Sequence, residues 1–519
     1  MTPPTELVVF ALLAAFYFLA RLYPIWPRRF QGCDAYNIML CAKILRHEHR
    51  LPIRLPEKLF LLEEAEQWYP PLFLVLCALL PEKWLERRYW LINHAVDLGT
   101  LAVLFWVATT IGPLWAAAGV GTIYAFSTGT MHEYASLNVR PLGGLLLCGF
   151  LIAAYHGLAT HSGWIGLACL LGILLLYAHK LSAQQLWFTL PFLAVVTMDW
   201  RWVALLPAIY GLAFLVWPRG FTRILAAQKA IVVFWHRNHR LLGAHAVRQS
   251  PIYGDAKTRT EVYAKDGIVG FLVFAKNALH QNYFILPLAA IATLRSTVDP
   301  MAIFLLGWVV SVYLWAGLVH GVPWLRGIGL GIQYVKFAFV PTLLFLVKTI
   351  SGSGEIWMWL LTLLAVGLTA RQYALTARGL RTTTGGQMGA WSGALGSLLA
   401  RIKTDPKARV MCLPVYLCDL VACKTGQSTY WGTHSHCFDE RLEQFFPVLK
   451  QPLGEYAKKA GLTHLLLDHS YATPTELHLS KDDFVEEQGQ YGLYRLHERS
   501  GLPHTQLRVA DVRESIHQK

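Results

Sequence analysis

Residues 5–36 read TELVVFALLAAFYFLARLYPIWPRRFQGCDAY. The stretch Leu7 to Leu22 is apolar and is preceded by one acidic and no basic residue, and no small-residue cleavage site stands before Arg28-Arg29. This pattern predicts a retained first membrane span rather than a leader peptide. Behind it comes Asp34, followed by a stretch with Met39, Leu40, Ile44 and Leu45 on one side and Lys43, Arg46, His47 and Arg50 on the other. That is an amphipathic helix laid on a membrane surface. Locally Asp34 reads most simply as the cap of that helix, although an acid at the mouth of a span is costly unless it is hydrated, capping or used.

Working outward, 55% of the 519 residues are hydrophobic and 15% are charged, where a soluble domain carries about 25% charge. The mean hydropathy is +0.38. The chain is an integral membrane protein by composition. Further spans can be drawn at about 89–111, 114–131, 141–159, 163–179, 184–198, 200–217, 278–294, 300–320, 334–350 and 355–375, which makes about eleven crossings with the first. The run Tyr69 to Leu80 is too short to cross and opens on Pro70-Pro71, which suits a juxtamembrane or re-entrant helix. Lys+Arg 46 against Asp+Glu 32 leaves a net charge of +14. The bases stand beside apolar spans, so anionic head groups or a phosphorylated lipid are the expected partners and nucleic acid is not. The nine cysteines include no C-x-x-C pair, and Cys412, Cys418, Cys423, His434, His436 and Cys437 fit no zinc spacing.

The expected organisation is a membrane module over 1–380, a Gly/Thr/Ser-rich linker over 381–400, and a small α/β domain over 401–519. Within the module, 23–88 forms a first external loop with juxtamembrane helices and 218–265 a basic interfacial loop. In the tail, 409–413, 463–468 and 491–496 read as strands, and 438–450 and 453–460 as helices, the latter stopped by Gly461. With eleven crossings the termini lie on opposite faces. A cytoplasmic N-terminus then puts 23–88, 132–140, 218–265, 321–333 and the tail outside. The bases Arg28, Arg29, Lys43, Arg46, Arg50, Arg54 and Lys58 argue the other way, unless a phosphate ligand or an interfacial helix holds them.

Several polar breaks between spans invite chemistry. Tyr69-Pro70-Pro71-Leu72 puts a ring at the interface ahead of a short helix, as an anchor or a contact to ligand. The loop after the third span carries Glu133, Asn138 and Arg140; it either caps helices or supplies an acid, an amide and a guanidinium on the face of Asp34. His179-Lys180 packs a histidine and a cation between two apolar runs, as an ordinary loop or a cavity wall. Arg326, flanked by glycines that allow close approach of a ligand, and Lys336 stand at the top of a late span, where cations snorkel or bind phosphate.

Taken in order, an Asp behind the first span, a surface helix, an aromatic-Pro-Pro-Leu box, a polar loop with an Arg two spans on, a late Arg loop and a C-terminal soluble domain resemble the GT-C superfamily. These polytopic glycosyltransferases include protein O-mannosyltransferases, aminoarabinose transferases and oligosaccharyltransferases. The resemblance runs loosely over residues 5–350 and over the tail by architecture alone, and it is sharpest at Asp34 and Tyr69-Pro70-Pro71-Leu72. It implies a polytopic α-helical GT-C-like protein of about 11 transmembrane helices with a small C-terminal α/β domain. It also implies sugar transfer from a polyprenyl-phosphate donor to a glycan, lipid or protein acceptor at the outer face of the cytoplasmic membrane of a bacterium. Asp34 matches the acid of the first external loop. Many relatives carry an Asp in the second loop, where this chain offers Glu133 and Asn138, which leaves the second carboxylate and any divalent metal open. An inverting transfer needs a base for the acceptor hydroxyl and positive charge for the departing phosphate. Asp34 would be the base, with Glu133 the second acid. Arg326, Lys336, Arg140 and Lys180 would hold the phosphate, with Tyr69, Asn138 and His179 beside them. A lipid transporter or flippase would show mid-span ionisable residues and repeated halves, whereas in-span acids here come down mainly to Asp97. A polymerase or ligase using lipid-pyrophosphate donors would lack the soluble tail.

Overall fold

The computed structural model describes residues 3–26, 32–51, 59–61, 69–129, 131, 136–159, 163–237, 267–294, 299–350, 355–382, 393–415, 417–432, 449, 451–497 and 500. Glu133, most of the basic block after Arg237 and nearly all of the helix expected at 438–450 lie outside the described residues.

The membrane part begins with α1 (Pro3–Leu22), α2 (Gly32–Glu48) and the short α3 (Leu72–Ala78). Helix α2 is not the surface helix expected, since Ala35, Tyr36, Asn37, Met39, Leu40, Cys41, Ala42 and Ile44 are all buried. It continues through α4 (Glu82–Ile111), α5 (Leu114–Ala125), α6 (Arg140–Ala159), α7 (Gly163–Leu176), α8 (Lys180–Thr197) and α9 (Arg201–Val216). Next come α10 (Pro218–Arg237), α11 (Gly267–Gln281), α12 (Ile285–Leu294) and α13 (Pro300–Gly321). Three 3₁₀ turns at Pro323–Ile328, Gly331–Gln333 and Val335–Ala338 lead into α14 (Phe339–Ile350) and α15 (Ile356–Thr382). Leu104 and Phe105 of α4, Phe150 of α6, Leu190 of α8 and Leu343 of α14 are fully buried in one shared core. Leu7, Leu12 and Leu19 of α1 and Leu360 and Leu363 of α15 are exposed, as lipid-facing positions are in a bundle whose helices hold together by packing.

Among the described residues six helical segments are long and apolar enough to cross a membrane, and four shorter apolar helices accompany them. Length credits fewer crossings than hydropathy does. At 1.5 Å per residue the short helices cannot cover about 30 Å of hydrocarbon alone. The span drawn at 278–294 is two helices, α11 and α12, with a break at Asn282 whose side chain donates to the Thr342 hydroxyl at 3.1 Å. Residues 72–78 form a helix too short to cross, as expected.

The tail holds α16 (Gly393–Thr404), β1 (Arg409–Leu413), α17 (Leu417–Thr425), β2 (Ser428–Thr429), α18 (Leu453–Ala460), β3 (His464–Asp468), β4 (Phe484–Gln488) and β5 (Tyr491–Arg495). The sheet order is β2-β1-β3-β5-β4, with β1 parallel to β2 and β3, and β5 antiparallel to β3 and β4. Leu465, Leu466 and Leu467 are fully buried, the continuous apolar run of a strand covered on both faces. The linker expected to reach residue 400 gives way earlier. From Gly393 the chain is helical, and Leu395, Leu398, Leu399 and Ile402 sit in the tail's core.

Tail and membrane part are joined by more than the chain. Phe60 pairs in parallel with Thr429; Leu61 N–H donates to the Thr429 carbonyl at 3.0 Å and Thr429 N–H to the Leu59 carbonyl at 2.9 Å. The Asn37 amide of α2 donates to Asp419 of α17 at 3.4 Å. Helix α10 buries Phe221 and Ile224 in the membrane core and Phe234 and Trp235 in the tail core, while Arg219, Arg223 and Lys229 stay exposed.

Candidate active site

Arg140 opens α6 because the segment before it is pinned. The Asn93 amide of α4 donates to the Ser136 carbonyl at 2.6 Å, and the buried Asn138 takes the Arg140 backbone N–H on Oδ1 at 3.0 Å. Asn138 thus starts the helix that presents the arginine, in the manner of an Asx turn. His179 does the same for α8: its Nδ1 lies 2.8 Å from the Ser182 hydroxyl and accepts the Ser182 N–H at 3.4 Å. The buried ring is pressed against α6 at Gly143, where a Cβ would fall 2.5 Å from ring and side-chain atoms. Only glycine fits there.

Three cations lie within electrostatic reach of this ring. Lys336, Arg140 and Lys180 all act electrostatically on His179, and Arg140 acts on Lys180. Arg140 and Lys336 line one cavity together with Asp97, Thr100, Tyr124, Ser127 and Gln281; Leu147, Trp308, Phe337 and Val340 make its apolar part. Tyr69 is half-buried. The box that follows it docks close by, because Leu72 N–H donates to the Tyr177 carbonyl at 2.9 Å, two residues before His179. Asp34 occupies the first turn of α2, half-buried, ahead of the fully buried Ala35, Tyr36 and Asn37. Burial pushes the Tyr36 phenol, two residues after Asp34, above its ordinary range, so it stays neutral.

Arg326 is elsewhere. It lines a different cavity, with Gly267, Ile268, Phe271, His320 and Gly321. Its Nε donates to the His320 carbonyl at 3.0 Å. The neighbouring Gly327 makes room for a helix rather than a ligand: a Cβ there would lie 2.7 Å from the backbone nitrogen of His236 in α10. Arg326 and Lys336, paired from sequence as the phosphate ligands, are therefore not in one cavity.

Two residues of the first cavity's surroundings stood out little in the sequence. Asp97 is buried in α4 and accepts the Tyr17 hydroxyl and, at 2.6 Å, the Tyr124 hydroxyl. Arg21, buried near the end of α1, donates to the Tyr124 carbonyl at 2.9 Å and the Ser127 hydroxyl at 2.7 Å. A lone charge in an apolar span was their signal. Among the described residues no three His, Cys, Asp or Glu side chains gather as a metal ion requires.

Set against known structures, the chain shares its fold with ArnT from Cupriavidus metallidurans and an oligosaccharyltransferase from Archaeoglobus fulgidus. It aligns over 97% of its length with all of ArnT from Cupriavidus metallidurans in the apo state, at a TM-score of 0.55 and 11% identity. The same protein bound to undecaprenyl phosphate aligns at 0.53 and 11% identity over 95% of this chain and 98% of that one. The oligosaccharyltransferase AglB from Archaeoglobus fulgidus, in complex with an inhibitory peptide and a dolichol-phosphate, aligns at 0.55 and 12% identity, covering 89% of this chain and 69% of its own. No family model and no curated protein matches the sequence.

Proposed function

We propose that the protein is a glycosyltransferase that moves a sugar from a polyprenyl-phosphate donor to a glycan, lipid or protein acceptor at the outer face of a bacterial cytoplasmic membrane. The observation that carries this reading is the cavity in which Arg140 and Lys336 meet above an apolar wall, with Lys180 beside Arg140. Fixed cations over apolar surface suit a phosphate with a hydrocarbon tail, and ArnT and AglB, which share the fold, are known with undecaprenyl phosphate and dolichol-phosphate.

In the proposed reaction the bond between the sugar's anomeric carbon and the phosphate oxygen breaks while the acceptor oxygen bonds to that carbon from the opposite side. Asp34 takes the acceptor's hydroxyl proton, and Arg140 and Lys336 meet the charge left on the lipid phosphate. Positive charge at the phosphate is thus supplied by side chains of this chain. The site and the tail domain lie outside the cytoplasm in this reading. The test is transfer by purified, reconstituted protein from a radiolabelled polyprenyl-phosphate sugar, with release of polyprenyl phosphate. Turnover that Asp34→Asn abolishes supports it. Failure to turn over such donors, together with failure to bind polyprenyl phosphate, overturns it.

A further inference from the structure

Asp97 is 2% exposed, and the chemistry proposed above gives it no task. Both of its carboxylate oxygens accept hydrogen bonds, Oδ2 from the Tyr17 hydroxyl and Oδ1 from the Tyr124 hydroxyl. An ionised carboxylate is an acceptor of this kind, with no proton to give. The two rings also flank the Arg21 guanidinium, at 5.6 and 5.8 Å from their centroids. Asp97 nonetheless lines the cavity of Arg140 and Lys336. A pocket read as a phosphate site thus has a carboxyl group in its wall.

The two lipids that such a site meets differ in charge. The donor is a phosphodiester with one negative charge. Breaking its sugar–oxygen bond leaves a monoester, whose second ionisation near pH 6 gives it about −1.5 to −2 at neutral pH. Two cations alone would hold that product more tightly than the donor and would keep the site occupied after each turnover. We propose that Asp97 sets the balance between donor and product: its charge opposes the second charge of the polyprenyl monoester and lets it leave. As a general magnitude, two unit charges roughly 10 Å apart across an effective dielectric near 20 change a binding constant on the order of tenfold. This role rests on the reading of the cavity as the lipid-phosphate site.

The test uses the full-length protein in detergent and two probes, undecaprenyl phosphate and its methyl diester. Asp97→Asn keeps the shape and an oxygen acceptor but removes the charge. It should raise the monoester-over-diester affinity ratio about tenfold and deepen product inhibition accordingly, whereas Asp97→Glu should keep the wild-type ratio. A packing defect alone would weaken both probes together and leave the ratio where it was. Should the Asn variant not fold, Asp97→Ser is read in the same way. An unchanged ratio in a folded, uncharged variant that binds both lipids overturns the role of Asp97. Wild-type protein that binds neither lipid overturns the reading of the cavity, and this role with it.

Discussion

Two cavities share the irregular stretch between α13 and α14, and each is lined by a cation that the sequence offers as a phosphate ligand. Around Lys336 the partners arrive from separate parts of the chain: Arg140 at the start of α6, and His179 and Lys180 at the start of α8. Arg326 instead donates from its guanidinium to the carbonyl of His320, six residues back, and shares its cavity with Gly267, Ile268 and Phe271 of α11. The glycine after it makes room for α10. A place in the irregular stretch between two helices is common to both cations. What separates them is convergence: cations that repel one another are drawn together at a cost, which an anionic ligand offsets, whereas an arginine bonded into its own turn needs no ligand to explain it.

The harshest attempt to break this contrast is to remove Asp34, the carboxylate proposed as the base. Asp34→Asn is expected to lower turnover by roughly 10²–10⁴, while costing at most about 1 kcal/mol as a carboxylate lost from the first turn of a helix. Rates with purified donor, set beside thermal melting, separate the two effects, and near-normal turnover would take the chemistry away from this region. Next in size, Arg140→Ala and Lys336→Ala should each lower donor kcat/KM by about 10–100-fold, as for a charged contact worth about 1.5–3 kcal/mol, and Lys336→Arg should recover part of the loss. Arg326→Ala sharpens the contrast from the other side. Donor kcat/KM is expected to stay within about twofold, with the loss appearing as about 1 kcal/mol of stability; a kinetic effect equal to that of Lys336→Ala would erase the distinction between the cavities.

The smallest effect lies far from both. His464 is buried in β3, and burial holds its imidazole below the ordinary range; Asp405 opposes that shift, while Arg495 and Arg401 add to it. The unfolded chain therefore takes up this proton more readily than the folded one. The stabilisation is present above the unfolded value, about 6.5, and is lost as pH falls below it toward the folded value. Melting of the tail should weaken as pH falls below about 6.5, less so in His464→Gln, and a His464→Gln melting curve with the wild-type pH slope would remove this histidine from the account.

The bundle was legible because lipid demands runs of apolar residues, and the longer runs became helices. The break at Asn282 was not, because a side chain that bonds to Thr342, 60 residues away, leaves no mark on local hydropathy. The linker's Gly/Ser composition masked the period of Leu395, Leu398 and Ile402, which commits that segment to the tail's core. Strand β2, with two residues, is too short to show an alternation. In the site, Arg140, His179, Lys180 and Lys336 were visible singly as polar interruptions between spans. Their meeting depends on helix packing, including the close approach at Gly143, and packing is not written in spacing. Asp97 and Arg21 each stood as one charged residue in an apolar run, with partners on other helices.

The pairing of Phe60 with Thr429 changes what a shortened version of this chain would be. Cutting after α15 removes no detachable appendage. It opens the backbone groups of Leu59 and Leu61 that β2 had occupied, takes Asp419 from Asn37, and uncovers Phe234 and Trp235 at the end of α10. The helix that carries Asp34 is held by a residue 382 positions further along the chain, so its final seating must wait until that later domain has been made.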